Sequence, residues 1–377
     1  MTLTLMDESL RHVLPKTFDE VGTSDHRFYD RYWFAIVDPD GELAVIAGLG
    51  LYSNLNVLDG FVCMLRGSDA TQHNLRLSRV LRPEIDHTGV GPLTITVQKP
   101  FGQIQLSLSD GPGMQLDAIW QATAPPHEEV PRRDVRRGRV VQETCRYVQE
   151  GKATGVAILE GARFEMKEWY GTRDHSWGVR RDVGGWEPKT SGRTEGSKAS
   201  GSLYAWLFFS DSEFTGVWQV QETESGNRSY VDGAITRNSD GKSLGVKEIK
   251  LEFEWFPNSS RWTSAIAVVS LASGDDIVFH ISPLMPSWAM VGAGYDSGFD
   301  DGLGHGVFRG DAYSEHDTYD LSDPEQVVVG DGSVRHPVMR DTPVKVTIGE
   351  RSSTGYFLVH VRPPLPQYGL QTPNPSN

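Results

Sequence analysis

The chain has 377 residues and 38% of them are hydrophobic, enough for two domains or one large β domain with a sizeable core. Its formal net charge of −14 argues against nucleic acid and against an anionic membrane surface, both of which attract basic faces, and favours a neutral or apolar small-molecule partner. Cys63 and Cys145 fall in strand-like runs and read as buried free thiols without a disulfide framework. No signal-peptide pattern and no membrane-spanning run is visible, so the default compartment is the cytoplasm.

Residues 1–28 mix polar and apolar positions and leave room for one short helix. A strand is expected over 31–37, then the turn Asp38-Pro39-Asp40-Gly41, then an apolar run over 43–49, which together read as a hairpin. Further strand-like runs occupy 61–65, 75–80, 93–97, 104–108 and 116–122; over 103–108 polar and apolar residues alternate, the mark of a strand with one wet face. Residues 123–139 carry three prolines and the basic run Arg132, Arg133, Arg136, Arg137 and Arg139, read as an exposed loop with anion capture as the alternative. Strands resume at 144–149, 154–159 and 164–170, with Glu150-Gly151-Lys152 and Glu160-Gly161-Ala162 as tight turns. After a central motif, residues 182–202 form a glycine- and serine-rich loop around Trp186.

The second half repeats the texture through 356–361, with 289–292 and 306–313 among its strand-like runs. About ten strand candidates stand on each side of the motif, without a long amphipathic helix, so the fold class expected is all-β with two antiparallel barrels packed together. The division expected is 1–172 and 173–377. The tail from Arg362 is too proline-rich to pack.

Trp169-Tyr170-Gly171-Thr172-Arg173-Asp174-His175-Ser176-Trp177-Gly178-Val179-Arg180 is the densest concentration of chemistry. Adjacent strand residues point to opposite faces, so Asp174 and His175 share a pocket only if the backbone turns, which Gly171 and Gly178 would permit. Arg173 or Arg180 would then hold Asp174, and His175 would give or take a proton. The competing reading is an ion-pair knot between domains. A second cluster surrounds His305 between glycines, followed by Glu315, His316 and Asp317. The tryptophans and tyrosines supply both core and a candidate apolar lining. No phosphate loop, dinucleotide fingerprint, nucleophile elbow or zinc spacing occurs, so neither a metal nor a cofactor is expected.

Gly171-Thr172-Arg173-Asp174-His175-Ser176-Trp177-Gly178-Val179-Arg180 resembles the Gly-x-Arg-Asp-His-Ser-Trp-Gly-x-Arg motif of the carotenoid 1,2-hydratase and AttH-like superfamily, to which kievitone hydratase and a group of fungal Diels–Alderases are similar in fold. Tyr147-Val148-Gln149-Glu150-Gly151 and Gly304-His305-Gly306 resemble its secondary motifs. The resemblance implies two lipocalin-like β-barrel domains and cofactor-free chemistry on hydrophobic substrates, often addition or removal of water at an alkene through a carbocation. It implies Asp174, His175 and Trp177 as site residues. One departure is that 203–207 carries no carboxylate where a proton donor is expected, which leaves another acid, such as Asp174, Glu222 or Asp232, or a different chemistry.

The reading is therefore a hydratase or related lyase acting on a terpenoid, polyketide or aromatic compound. His175 and Asp174 would be catalytic, and Trp177, Tyr204, Trp206, Trp186 and His305 would contact substrate. Arg173 and Arg180 would support the motif. A carrier of a hydrophobic ligand and a cofactor-free isomerase or cyclase are the alternatives, and a homodimer is an assembly the sequence allows.

Overall fold

The computed structural model describes residues 3–136, 138–187 and 201–371. Arg137 of the basic run and most of the glycine- and serine-rich loop lie outside the described residues. The protein is all-β, as expected. Among the described residues the only helical pieces are three short 3-10 turns, of which Leu5–Glu8 takes the place of the expected N-terminal helix. No helix among them is long and apolar enough to cross a membrane.

The first body is an antiparallel sheet built from the meander Phe28–Val37, Leu43–Tyr52, Val57–Arg66 and Thr71–Val80, and a second meander Leu93–Lys99, Gln103–Gly111 and Met114–Ala122. The long hairpin Arg139–Leu159 and Ala162–Val179 joins them, its second arm pairing with Phe28–Val37 and its first with Met114–Ala122. Hydrogen bonds do not close this sheet. It curls until Leu58, Val62 and Leu77 share one core with Val90, Leu93 and Ile95 from its far end.

Glu150-Gly151-Lys152, expected as a turn, lies within a strand. Gly151 faces Gly171 across the hairpin, and the Trp120 indole covers both. A Cβ on Gly151 would stand 2.5 Å from that ring. The glycines make room for a buried tryptophan instead of bending the chain.

The second body is a closed eight-strand barrel from Ser202–Ser210 to Arg351–Arg362, its last strand pairing with its first. Leu203, Ala205, Leu207 and Phe209 alternate inward with Trp218, Phe279 and Phe357, filling an interior of the size that eight strands enclose. Between Pro283 and Asp341 the chain leaves the barrel and returns to the first sheet. There the expected run 289–292 is a 3-10 turn, Met290–Ala293, because its small residues wrap a glycine-tight corner against Gln72 and Asn74. The strand expected over 306–313 begins only at Tyr313 and runs to Asp320, paired with Thr71–Val80. The sequence division at 172/173 falls inside Ala162–Val179, and the strands between 313 and 335 belong to the first sheet.

The bodies pack outer face to outer face. Trp33, Ala35 and Val37 meet Trp206, Phe208 and Tyr356 in one apolar cluster, with the Trp33 and Tyr356 rings 5.2 Å apart. Each large side chain buried in this seam contributes about 1.5–3 kcal/mol.

Candidate functional site between the two bodies

The central motif occupies a regular strand, so strict alternation splits it between two faces. Asp174 and Ser176 point to the seam; Arg173, His175 and Trp177 belong to the opposite face. The expectation that Asp174 and His175 share one pocket is corrected here. Gly178 takes a positive φ only at the strand's end, and no turn occurs at Gly171.

At the end of the seam lies a cavity of about 570 Å³, a volume usual for small-molecule sites. The first body contributes Arg31, Trp33, Arg146 and Asp174; the barrel contributes Tyr204, Trp206 and His360. Strand register fixes the arrangement. Ser176 is directly flanked by Arg31 and Arg146, while Asp174 is flanked by Trp33 and Val148, which places the two arginines on its diagonals. Arg146 pairs with buried Glu129 at 2.6 Å and lies over the Trp206 ring, 4.0 Å from its centroid. Asp174 has no hydrogen-bond partner among the described residues. Burial raises its carboxyl above the ordinary carboxylate value, against the pull of Arg146 and Arg31.

The other acids considered are less suited to donating a proton. Glu222 lines the cavity but accepts the Tyr368 hydroxyl at 2.8 Å. Burial opposes ionisation of Asp232, yet the His127 imidazole 3.5 Å away and the Val130 N–H hold it below the usual range.

Across from Asp174, on the barrel, His360 Nε2 lies 2.8 Å from Asp341 Oδ1. Asp341 is almost wholly buried, and the Tyr204 ring stands edge-on to the imidazole with centroids 5.7 Å apart. A proton on Nε2 donated to the carboxylate leaves the Nδ1 lone pair free, with no protein partner among the described residues. The Tyr204 hydroxyl donates to Gln219 Oε1 at 3.2 Å.

His175 is engaged elsewhere. Its Nε2 is 2.7 Å from Asp30 Oδ1 and its Nδ1 is 3.2 Å from the Tyr147 hydroxyl, so one neutral tautomer uses both nitrogens. Arg173, on the same face, donates to Gln149 at 2.7 Å and lies 5.0 Å from the Trp120 ring. Trp177 packs beside His175 at 5.2 Å and does not reach the cavity. Trp186 is 56% exposed and stacks on His26 instead of lining the cavity. His305 is enclosed by Phe61, Tyr295 and Phe299, and burial holds its imidazole well below the ordinary value. Of the expected residues, Asp174, Tyr204, Trp206 and Arg180 line the cavity, Arg180 over the Tyr29 ring.

Arg31, Arg146 and the Asp341–His360 pair were not singled out from the sequence. One signal was present: Tyr356 to Val359 is apolar at consecutive positions, which marks a strand buried on both faces, and His360 continues the seam-facing register. Asp341 comes beside it across the hairpin of Asp341–Ile348 and Arg351–Arg362, where it stands opposite Leu358. Among the described residues no three His, Cys, Asp or Glu side chains converge as metal donors would.

The crystal structure of a protein assigned as AttH from Nitrosomonas europaea has the same fold, with a TM-score of 0.54 at 12% identity over 93% of this chain and 99% of the other. Kievitone hydratase from Nectria haematococca aligns at 10% identity over 96% and 95% of the chains, with a TM-score of 0.49. CghA bound to Sch210972 aligns at 9% identity over 89% of each chain, also with a TM-score of 0.49. No curated protein matches the chain in sequence. Residues 3–363 match the family of unknown function DUF8625, and the chain belongs to that family.

Proposed function

We propose that the protein is a cofactor-independent hydratase or dehydratase that moves water across a carbon–carbon double bond of a small organic molecule in the cavity between the bodies. The observation that carries this is a proton donor and a proton acceptor in one cavity: Asp174, pushed toward its neutral form by burial, and His360, oriented by Asp341. In the hydration direction the water oxygen bonds to one alkene carbon and its proton passes to His360 Nδ1. The alkene electron pair takes the Asp174 proton at the other carbon. Loss of water is the reverse, and proton exchange with solvent resets both groups.

Arg31 and Arg146 lie on the diagonals of Asp174 and bring positive charge to the reacting atoms. That field disfavours a carbocation and favours negative charge spread onto a carbonyl oxygen, so the alkene is conjugated to a carbonyl. Trp33, Tyr204 and Trp206 supply flat apolar surface for the rest of the molecule.

The test is turnover of conjugated alkenes or their β-hydroxy counterparts in heavy-oxygen water. Label should enter the hydrated product, and the rate should fall as pH rises through the pKa of Asp174, because the acid must be protonated. Tight binding with no conversion would establish a carrier, and conversion with neither label nor mass change would establish an isomerase or cyclase.

A further inference from the structure

Resting on that reading of the cavity, we infer that Arg31 anchors an anionic group of the ligand, so that the substrate class is a planar, largely apolar organic carboxylate. Arg31 is 5% exposed and makes no side-chain hydrogen bond and no ion pair with any described residue. Its Nη2 is buried without a partner. The guanidinium lies 4.5 Å from the centroid of the Tyr295 ring and 6.0 Å from that of Phe61, and it lines the cavity.

A buried guanidinium ordinarily has its N–H groups met by acceptors, as those of Arg173 are by Gln149 and those of Arg340 by the Ser287 and Trp288 carbonyls, and three other arginines are given carboxylates. Arg76 meets Glu315 and Asp317, Arg146 meets Glu129, and Arg27 meets Asp25. Arg31 is left with aromatic faces alone. The cost of burying an unpaired charge is recovered if the ligand brings the counter-charge.

Asp174 is not that counter-charge. It is on the diagonal of the register, forms no ion pair with Arg31, and is pushed toward neutrality by burial. Asp59, nearby and buried, accepts the Gly306 N–H on Oδ2 at 2.6 Å while its Oδ1 has no partner among the described residues; it forms no ion pair with Arg31, and burial pushes its carboxyl up to about 6. The flat body of such a ligand has Trp33 and Trp206 on the two sides of the cavity to lie against. The chain's net charge of −14 does not exclude this, because the cavity wall itself is not acidic: seven arginines, Arg31 and Arg146 among them, stand against six carboxyl groups.

The test compares cinnamate with cinnamamide, which share shape and differ in charge, by isothermal titration calorimetry on the whole chain. Wild type should bind the carboxylate roughly tenfold or more tighter than the amide, the scale of a charge-assisted contact. Arg31→Gln should bring the two within about twofold, while Arg31→Lys retains part of the preference. Arg132→Gln at the cavity rim, where Arg132 donates to Gln221, should leave the preference intact.

Equal binding of the two probes by wild type, no saturable binding of cinnamate at millimolar concentration, or a folded Arg31→Gln variant that keeps the preference would each overturn the inference. If Arg31→Gln does not fold, the wild-type comparison and Arg31→Lys still decide. A carboxylate preference with no turnover of unsaturated acids upholds the anchor and sinks the hydratase reading. Turnover of neutral alkenes with no preference for acids does the opposite.

Discussion

Replacing His360 with Gln is expected to lower turnover by roughly 10²–10⁴-fold, the scale of lost general acid–base catalysis, while His175→Gln lowers it less than about tenfold. The two histidines look alike in sequence, each on a strand. They differ in what their nitrogens meet. His175 spends one on Asp30 and the other on the Tyr147 hydroxyl. His360 spends one on Asp341 and keeps the other for the cavity. Asp341→Asn should also reduce turnover, because an amide can hold the ring in the wrong tautomer. Steady-state kinetics of the three variants, each checked by thermal melting, measures the difference. A large loss in His175→Gln with His360→Gln near wild type would move the chemistry to the other face of the sheet.

The largest effect on stability is expected at Arg76. Its guanidinium is fully buried and donates to Glu315 and to Asp317 at 3.0 Å. It also donates to the Gly292 carbonyl at 3.0 Å. Arg76→Met would leave Glu315 and Asp317 without their counter-charge, held by Asn74, Tyr313 and the Asp300 N–H alone, beneath the segment that returns from the barrel to the first sheet. Breaking such a buried pair costs about 3–5 kcal/mol. Urea unfolding followed by tryptophan emission should show the loss, and limited proteolysis should cut first near Tyr313–Asp320. A loss under about 1 kcal/mol would mean that the segment is held by its strand pairing alone.

Much of the fold was legible because β structure writes itself locally. Alternation over 103–108, the Glu160-Gly161-Ala162 turn and the Asp38-Pro39-Asp40-Gly41 turn each report short-range geometry, and each holds. What failed was non-local. The sequence reads Gly151 as a bend because its partner, Trp120, is brought beside it only by strand pairing. The return of Tyr313–Asp320 to the first sheet is invisible because nothing in 313–320 names Thr71–Val80 as its neighbour.

The site divides in the same way. The central motif was conspicuous, and alternation alone warned that Asp174 and His175 face apart; the hope of a turn at Gly171 was the misstep. Arg31 and Ser176, 145 positions apart in the chain, meet only through register. Asp341 and His360, 19 residues apart, meet across the hairpin of the last two strands. A histidine becomes a base by what lies beside it, and the cavity that His360 lines is assembled from segments distant in sequence.

The central claim is that the chemistry takes place in the cavity on the Asp174 face. Ser176 is buried in that wall between Arg31 and Arg146, so Ser176→Trp would fill the space without touching His175, Tyr147 or Asp30 on the other face. The direct measurement is turnover of this variant, shown to be folded by circular dichroism, beside Tyr147→Phe. The account predicts that Ser176→Trp abolishes turnover and that Tyr147→Phe stays near wild type. Wild-type turnover in a folded Ser176→Trp protein, with loss in Tyr147→Phe, would contradict it.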